Sequence, residues 1–136
     1  MKHQINLEKI KRSAIKLSQL SEKQRDKFLQ HLSTELWQRR QKIIKANKID
    51  IENAHTNRLQ TAFIERLILN DSGIEKLIKR IKEIEKLQSG LGELIEEKTN
   101  QQGLVLKKIR VPLGVIVVIY EARPEVTIDV AALCVK

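Results

Sequence analysis

The sequence contains one cysteine, few aromatic residues and no long apolar run. Cys134 is the only cysteine, which excludes a disulfide within the chain and a metal site built from several cysteines. No apolar stretch reaches the roughly 20 residues that cross a bilayer, and the first six residues lack the apolar core of a signal peptide. We therefore predict a cytoplasmic protein with no membrane partner.

Neither the histidines nor the net charge of +9 indicates a specific metal or nucleic-acid ligand. His3, His31 and His55 lack the spacing of metal ligands, so we predict no metal site. Residues 1–50 hold 13 Lys and Arg against 5 Asp and Glu. A basic face is necessary for nucleic-acid binding, but single-strand binding also uses exposed aromatics. Three of the four aromatic residues fall at apolar helical positions, and we predict no nucleic-acid partner. A basic helical module that binds nucleic acid or protein is the alternative.

Apolar residues recur at helical spacing over residues 7–87. We predict a first helix over 7–20, with Asn6 as its N-cap. The motif Ser21-Glu-Lys-Gln24 is a capping box and predicts the start of a second, longer helix. We expect this helix to break or kink at 46–50.

Three further helical segments are predicted before residue 90. Asp50 is expected to cap a short segment over 51–55, and a second short helix covers 59–67. Ser72 and Glu75 form a capping-box pattern in front of a longer helix. Its apolar stripe consists of Ile74, Leu77, Ile78, Ile81, Ile84 and Leu87.

The pattern changes to β-type after residue 91. Leu94–Lys98 and Leu104–Val111 are predicted to pair as a hairpin, or as two strands of a small sheet, with Gly103 at a left-handed turn position. The unbroken run Val115–Ile119 is typical of a strand buried on both faces of a parallel sheet. With a helix predicted over 126–135, this makes the first half of a βαβ unit, whose ligands bind at the carboxyl end of the strand.

Polar residues cluster at the end of that predicted strand. The cluster consists of Tyr120, Glu121, Arg123 and Asp129. A helix start there offers free N–H groups to an anion, Arg123 adds a bidentate fork, and Pro124 suits the first helical turn. Alternatively, Arg123 pairs with a nearby Glu or Asp and only fixes the turn. Cys134 lies in an apolar segment and is predicted to be buried and inert.

The segment from Arg110 to Lys136 closely resembles gamma-glutamyl phosphate reductase, a branch of the aldehyde dehydrogenase superfamily. The core of the resemblance is Tyr-Glu-x-Arg-Pro at 120–124, followed by Val-Thr-x-Asp. Two earlier segments are similar to the family more loosely: Asn47–Asp50 to its N-A-x-D region and Phe63–Leu67 to its M-x-D-R-L helix. The resemblance covers nearly the whole sequence.

The resemblance implies an activity. The family reduces L-glutamyl 5-phosphate to glutamate 5-semialdehyde with NADPH and releases phosphate, in proline biosynthesis. A cysteine attacks the acyl phosphate, and hydride from the nicotinamide resolves the thioester. Ile119, Tyr120 and Glu121 would line the cofactor cleft, and Arg123 and Pro124 would face the substrate. The family is homo-oligomeric, and the strands around 94–111 resemble the sheet that pairs with another subunit.

Three features depart from the family pattern. The nucleophilic cysteine lies in a part of the family beyond the match, and Cys134 does not correspond to it. The isolated chain is therefore expected to be inactive and truncated relative to the family. Glu125 stands where the family commonly has Asn, and its carboxylate would repel a phosphate unless Arg123 neutralises it. Ala122 falls where ordinary aldehyde dehydrogenases have an oxyanion-binding Asn.

The predicted fold class is α/β. Residues 1–90 form the N-terminal helical region of the cofactor domain, 91–111 the oligomerisation-type strands, and 112–136 the incomplete first strand, turn and helix of a Rossmann-like domain. Because the predicted strand Val115–Ile119 would have unpaired edges, we expect the isolated chain to be poorly soluble. A third possibility is a fragment that docks on intact subunits through Leu104–Val111.

Overall fold

The computed structural model describes residues 6–121 and 123–136. Their helices are α1 (Leu7–Ser18), α2 (Glu22–Gln38), α3 (Arg40–Thr56), α4 (Thr61–Leu67), α5 (Asp71–Glu85) and α6 (Pro124–Val135), and their strands are β1 (Leu94–Thr99) and β2 (Val105–Ile109). The chain forms two compact units. One contains α1, β1 and β2, and the other contains α2 to α6.

Helix α1 begins where the sequence predicts. The Asn6 side chain accepts a hydrogen bond from the Lys9 N–H at 2.9 Å, which satisfies one of the free amides of the first turn. Apolar residues nevertheless remain on its surface, and none of its side chains is buried. The N-cap prediction is confirmed.

Strands β1 and β2 form the predicted antiparallel hairpin. Thr99 pairs with Val105 next to the turn, and an irregularity between Leu94 and Glu96 shifts the register at the far end. Gly103 has φ +82°, the left-handed conformation that glycine adopts without steric cost. Every residue of the two strands is exposed on both faces.

The core of the second unit lies where α5 packs against α2 and α6. Leu29 and Leu36 of α2 meet Ile81 and Ile84 of α5, and Ala132 of α6 completes this cluster. A second cluster contains Leu69, Ile74 and Leu77. Four members of the predicted stripe of α5 are buried, whereas Leu87 lies beyond the helix and is exposed. Removal of these apolar side chains from water is the main stabilising contribution to this unit.

The break in the long helix lies earlier than predicted. Helix α2 ends at Gln38, and Arg39 has φ −95° and ψ 5°, outside the regular helical values. Residues 46–50 continue inside α3, so Asp50 is not a cap. Asn47 explains the continuity because it is buried on this helix and bonds to the backbone of Leu67 and Leu69 instead of ending the helix.

Helix α5 begins two residues before the predicted capping box. Asn70 is the N-cap, and its side chain accepts a hydrogen bond from the Gly73 N–H at 2.9 Å. Ser72 and Glu75 therefore lie inside the helix, and the capping-box prediction there is wrong. Asn and Ser are both good N-caps, so local preference alone does not choose between positions 70 and 72. The predicted capping box at Ser21 and Gln24 is present.

The segment Val115–Ile119 differs from the expectation of a buried strand. It carries no ladder hydrogen bonds, and its side chains are exposed. The exposed fraction reaches 81% at Val117 and 95% at Ile119. No strand within residues 6–121 and 123–136 pairs with this segment. A strand of a parallel sheet is buried by neighbouring strands and by helices that cover the faces of the sheet, and without them its side chains stay exposed.

Candidate functional site

The predicted site surrounds the start of α6. Pro124 occupies the first turn of the helix, as expected from its fixed φ and missing N–H. Arg123 precedes it in extended conformation, with φ −131° and ψ 93°, and its side chain does not cap the helix. The hydroxyl groups of Tyr120 and Thr127 are hydrogen-bonded to each other. This bond holds the segment before α6 against its first turn.

The described residues of the predicted cluster do not contact one another through hydrogen bonds or ion pairs of their side chains, and most of them are exposed. Ile119, Tyr120, Glu121 and Arg123 are exposed, and Pro124 is half-buried. Arg123 forms no ion pair with any described residue. The interpretation that Arg123 pairs with a carboxylate of the turn is therefore wrong. Ala122, expected to replace an oxyanion-binding Asn, lies outside the described residues, as does His3.

Arg80 of α5 is the partner of the carboxylates on α6. Its Nη2 lies 2.9 Å from Glu125 Oε2 and 3.1 Å from Asp129 Oδ2. Its Nε donates to Asp129 Oδ1 at 3.1 Å. The guanidinium thus bridges two acids one helical turn apart. The pKa of Arg80 is raised, first by the Glu125 hydrogen bond and then by Asp129, against an opposing effect of burial.

Glu125 is neutralised from α5 and not from its own turn. Arg80 takes the role that the sequence assigned to Arg123, which corrects that expectation. Glu125 Oε1 also lies 3.5 Å from the place where a Cβ on Gly73 would be. Glu125 therefore packs close to the first turn of α5, where backbone N–H groups favour negative charge.

The other end of α6 is tied to α2. The Lys136 side chain is 4% exposed, and its Nζ contacts Asp26 and, at 3.4 Å, Glu22. The Lys136 carbonyl accepts a hydrogen bond from Arg25 Nη1 at 3.1 Å. Charge pairs with α5 near its start and with α2 at its end fix the orientation of α6.

Cys134 is exposed, which contradicts the prediction of a buried cysteine. It lies on α6 away from Ala132, the one buried residue of that helix. A helix buries one face, and the apolar composition of 126–135 does not show which face that is. Within the part of the chain that the structure describes, no three His, Cys, Asp or Glu side chains are placed to hold a metal ion. No helix there is long and apolar enough to cross a membrane.

A shallow groove of about 530 Å³ runs between α2 and α5. Its lining includes Trp37, a residue that is 42% exposed, and the Arg40 guanidinium carbon lies 4.0 Å from the centroid of its ring. Trp37 stands at an apolar helical position in the sequence, and its side chain is nevertheless exposed. Ser33 also lines the groove, and its buried Oγ has no hydrogen-bond partner among the described residues.

The sequence did not predict the contacts of Arg80 and Asn47. Arg80 is one of many basic residues on a helix, and its partners lie 45 and 49 residues away. Asn47 resembled a helix breaker. One feature of the sequence indicated that Arg80 lies near the packed face of α5: it directly precedes Ile81, a buried residue of the apolar stripe.

No protein-family model matches this chain. It is 40% identical to the gamma-glutamyl phosphate reductase of Carboxydothermus hydrogenoformans over 128 residues, which are 94% of this chain and 31% of that protein. The reductase of Halothermothrix orenii is 41% identical over the same shares of the two chains.

Solved structures with a similar fold belong to the same family of enzymes. The crystal structure of the reductase from Thermotoga maritima matches 94% of this chain with a TM-score of 0.89 and 31% identity. That of the Saccharomyces cerevisiae reductase matches with a TM-score of 0.88 and 28% identity. The chain is homologous to the N-terminal portion of gamma-glutamyl phosphate reductases. It spans about 31% of the length of the curated relatives, and the recognition made from the Tyr120–Pro124 motif is confirmed.

Proposed function

We propose that this chain is the N-terminal portion of an enzyme that reduces L-glutamyl 5-phosphate to glutamate 5-semialdehyde with NADPH, in proline biosynthesis. The observation that carries the proposal is the similarity of nearly the whole chain, in sequence and in fold, to gamma-glutamyl phosphate reductases. The relatives are gamma-glutamyl phosphate reductases, which supports the acyl phosphate as the substrate. We place the protein in the cytoplasm, where the substrates of such an enzyme are.

The chain contributes one wall of the proposed active site. Ile119, Tyr120 and Glu121 line the cofactor cleft, and their exposure leaves them free to contact a nucleotide. Tyr120 is oriented by its bond to Thr127, which keeps its ring near the start of α6. Bound NADPH supplies hydride to the acyl carbon. The sulfur nucleophile is not Cys134 and belongs to the remaining part of the enzyme.

Arg123 and Pro124 form the substrate side of the same turn. The Arg123 guanidinium is exposed and has no ion pair with a described residue, so both of its N–H edges are available to a phosphate. Pro124 fixes the backbone at the first turn of α6, so Arg123 projects from a rigid position. Through these two residues, the chain orients the phosphate of the substrate.

The enzyme is proposed to be a homo-oligomer. Both faces and the outer edges of the β1–β2 hairpin are exposed, and an unpaired strand edge is a template for pairing with a second chain. We therefore propose the hairpin as the surface through which subunits assemble.

A chimera tests the proposed function. This chain replaces the matching segment of the Thermotoga maritima reductase, and NADPH formation is measured in the reverse direction with the semialdehyde, NADP and inorganic phosphate. We expect activity from the chimera and none from the isolated chain. Arg123→Gln should raise the KM for phosphate about tenfold because a charge-assisted bidentate contact is lost. A folded chimera without activity, beside an active parent enzyme, would refute the proposal.

A further inference from the structure

Two acidic residues on one face of α6 require a cation. Glu125 and Asp129 are four residues apart, a spacing at which like charges on a helix repel each other. Arg80 contacts both of them, with distances between 2.9 and 3.1 Å. All three side chains are roughly one-third exposed, so the pairing takes place at the border of the packed interface.

The position of Glu125 makes its charge important for a neighbouring anion. It belongs to the first turn of α6, two residues after Arg123 and next to Pro124. A free carboxylate there would offset both the Arg123 charge and the amide dipoles of the turn. Arg80 reaches it from a different helix, 45 residues away in sequence. Arg123 is thereby left without a carboxylate partner among the described residues.

We propose that Arg80 is a positioning residue of the active-site wall: by holding the Glu125 carboxylate against α5, it leaves Arg123 free to bind the substrate phosphate. This inference rests on the proposed function. Arg80 itself does not touch the substrate, since its guanidinium is occupied by Glu125 and Asp129. It acts on the charge of the turn and on the direction of the Glu125 side chain.

The role assigned to Arg80 predicts a specific kinetic pattern in the chimera. Arg80→Gln releases Glu125, which is then free to pair with Arg123. The KM for inorganic phosphate should rise about fivefold, whereas kcat and the KM for NADP stay within twofold. Lys79→Gln is the matched control because it removes a positive charge from the adjacent exposed position of α5. It should change none of these constants.

Removal of the Glu125 charge separates the two roles that Arg80 could have. If Arg80 acts through the charge of Glu125, Arg80→Gln combined with Glu125→Gln restores the KM for phosphate. If Arg80 only anchors α6, the double variant stays as impaired as the single one, because Asp129 still lacks its partner. Persistence of the raised KM in the double variant would overturn the proposal.

Two further variants keep the inference testable. Arg80→Lys keeps the positive charge and should retain most of the phosphate affinity even if Arg80→Gln does not fold. Glu125→Gln alone should leave the KM for phosphate unchanged or lower it, and a clear increase would contradict the proposal. An inactive chimera with native Arg80 refutes the proposed function. An active chimera that is indifferent to Arg80→Gln refutes only this inference.

Discussion

Asn47 joins two segments with one buried amide. Its Nδ2 donates to the Leu67 carbonyl and its Oδ1 accepts from the Leu69 N–H, both at 2.8 Å. It therefore satisfies an acceptor and a donor of the backbone that connects α4 to α5. Unpaired buried backbone groups of this kind are costly, so this side chain stabilises a connection that has no regular structure of its own.

Asn47→Ala should destabilise the chain by about 2 kcal/mol because it leaves two backbone groups of the α4–α5 connection unpaired. The free energy of unfolding is measured by urea titration with circular dichroism. Asn53→Ala is the matched control, since Asn53 is an exposed residue of the same helix. The control should change stability by less than about 0.5 kcal/mol. Equal effects of the two substitutions would contradict this role of Asn47.

The stabilisation by Arg80 should persist to alkaline pH. Glu125 and Asp129 raise the pKa of Arg80. A group with a raised pKa in the folded state stabilises the fold fully below its unfolded pKa, and this stabilisation is lost only as the pH rises through the raised value. Because the ordinary pKa of arginine is already very high, the contribution should be the same at about pH 7 and about pH 10.

This expectation is tested by urea unfolding at these two pH values of the native chain and of the variants Arg80→Gln and Arg80→Lys. The loss caused by Arg80→Gln should be about 1 kcal/mol at both, since the network is partly exposed. Arg80→Lys should behave like the native chain at both pH values, because two neighbouring carboxylates favour the charged lysine and its stabilisation is lost only above the ordinary lysine pKa of about 10.4. If the contribution of Arg80 to the free energy of unfolding decreased from the lower to the higher pH, the ion pairs with Glu125 and Asp129 would not be its source.

At the scale of elements, local signals were sufficient for most features in which the chain bonds to itself nearby, and the start of α5 is the exception. The N-cap of α1, the capping box of α2, the hairpin and the Pro124 start of α6 all depend on residues within a few positions of each other. The Tyr120–Pro124 motif is likewise a contiguous segment that the sequence shows directly. These features could be predicted from the sequence.

Elements that depend on distant partners could not be predicted. The break at Arg39 has no glycine or proline and depends on how α3 packs, with Asn47 reaching residues 20 and 22 positions away. The exposure of Cys134 depends on which face of α6 meets the core. The pairing of Arg80 with Glu125 and Asp129 requires two helices to be adjacent, and residue spacing within one helix does not reveal this.

The hairpin turn gives a prediction for one element. Gly103 has φ +82°, and a Cβ there would meet no atom within 4 Å. Gly103→Ala should therefore act only through the backbone and cost about 1 kcal/mol. A two-stranded hairpin is marginally stable, so amide exchange in β1 and β2 should become about fivefold faster. Gly103→Asn should have a smaller effect, and Gln101→Ala, at an exposed neighbour, should have none.

On the scale of the whole molecule, the dominant surface feature is the apolar segment from Leu113 to Ile119. Leu113 is 90% exposed, and Val117 and Ile119 are similarly open to water. A continuous exposed apolar segment of this kind favours association. In the proposed enzyme, the same segment would be covered by neighbouring strands of the cofactor domain.

Val117→Lys should make the isolated chain more monodisperse because it places a charge in the middle of this segment. Sedimentation velocity at several protein concentrations measures the effect. Gln102→Lys adds the same charge at the exposed hairpin turn and serves as the control. A native chain that is monomeric at all concentrations would contradict the prediction.

The contact between Arg80 and Glu125 has a consequence for how related sequences diverge. A neutral side chain at position 125 leaves Asp129 as the remaining acidic partner of Arg80 on α6, whereas an acid at 125 without the cation at position 80 leaves the turn with an uncompensated charge. Residues at positions 80 and 125 should therefore co-vary among related sequences. Loss of the arginine should be better tolerated in relatives with Asn or Gln at the position of Glu125, where only Asp129 loses its partner, and relatives that gained the acid should have gained the arginine first.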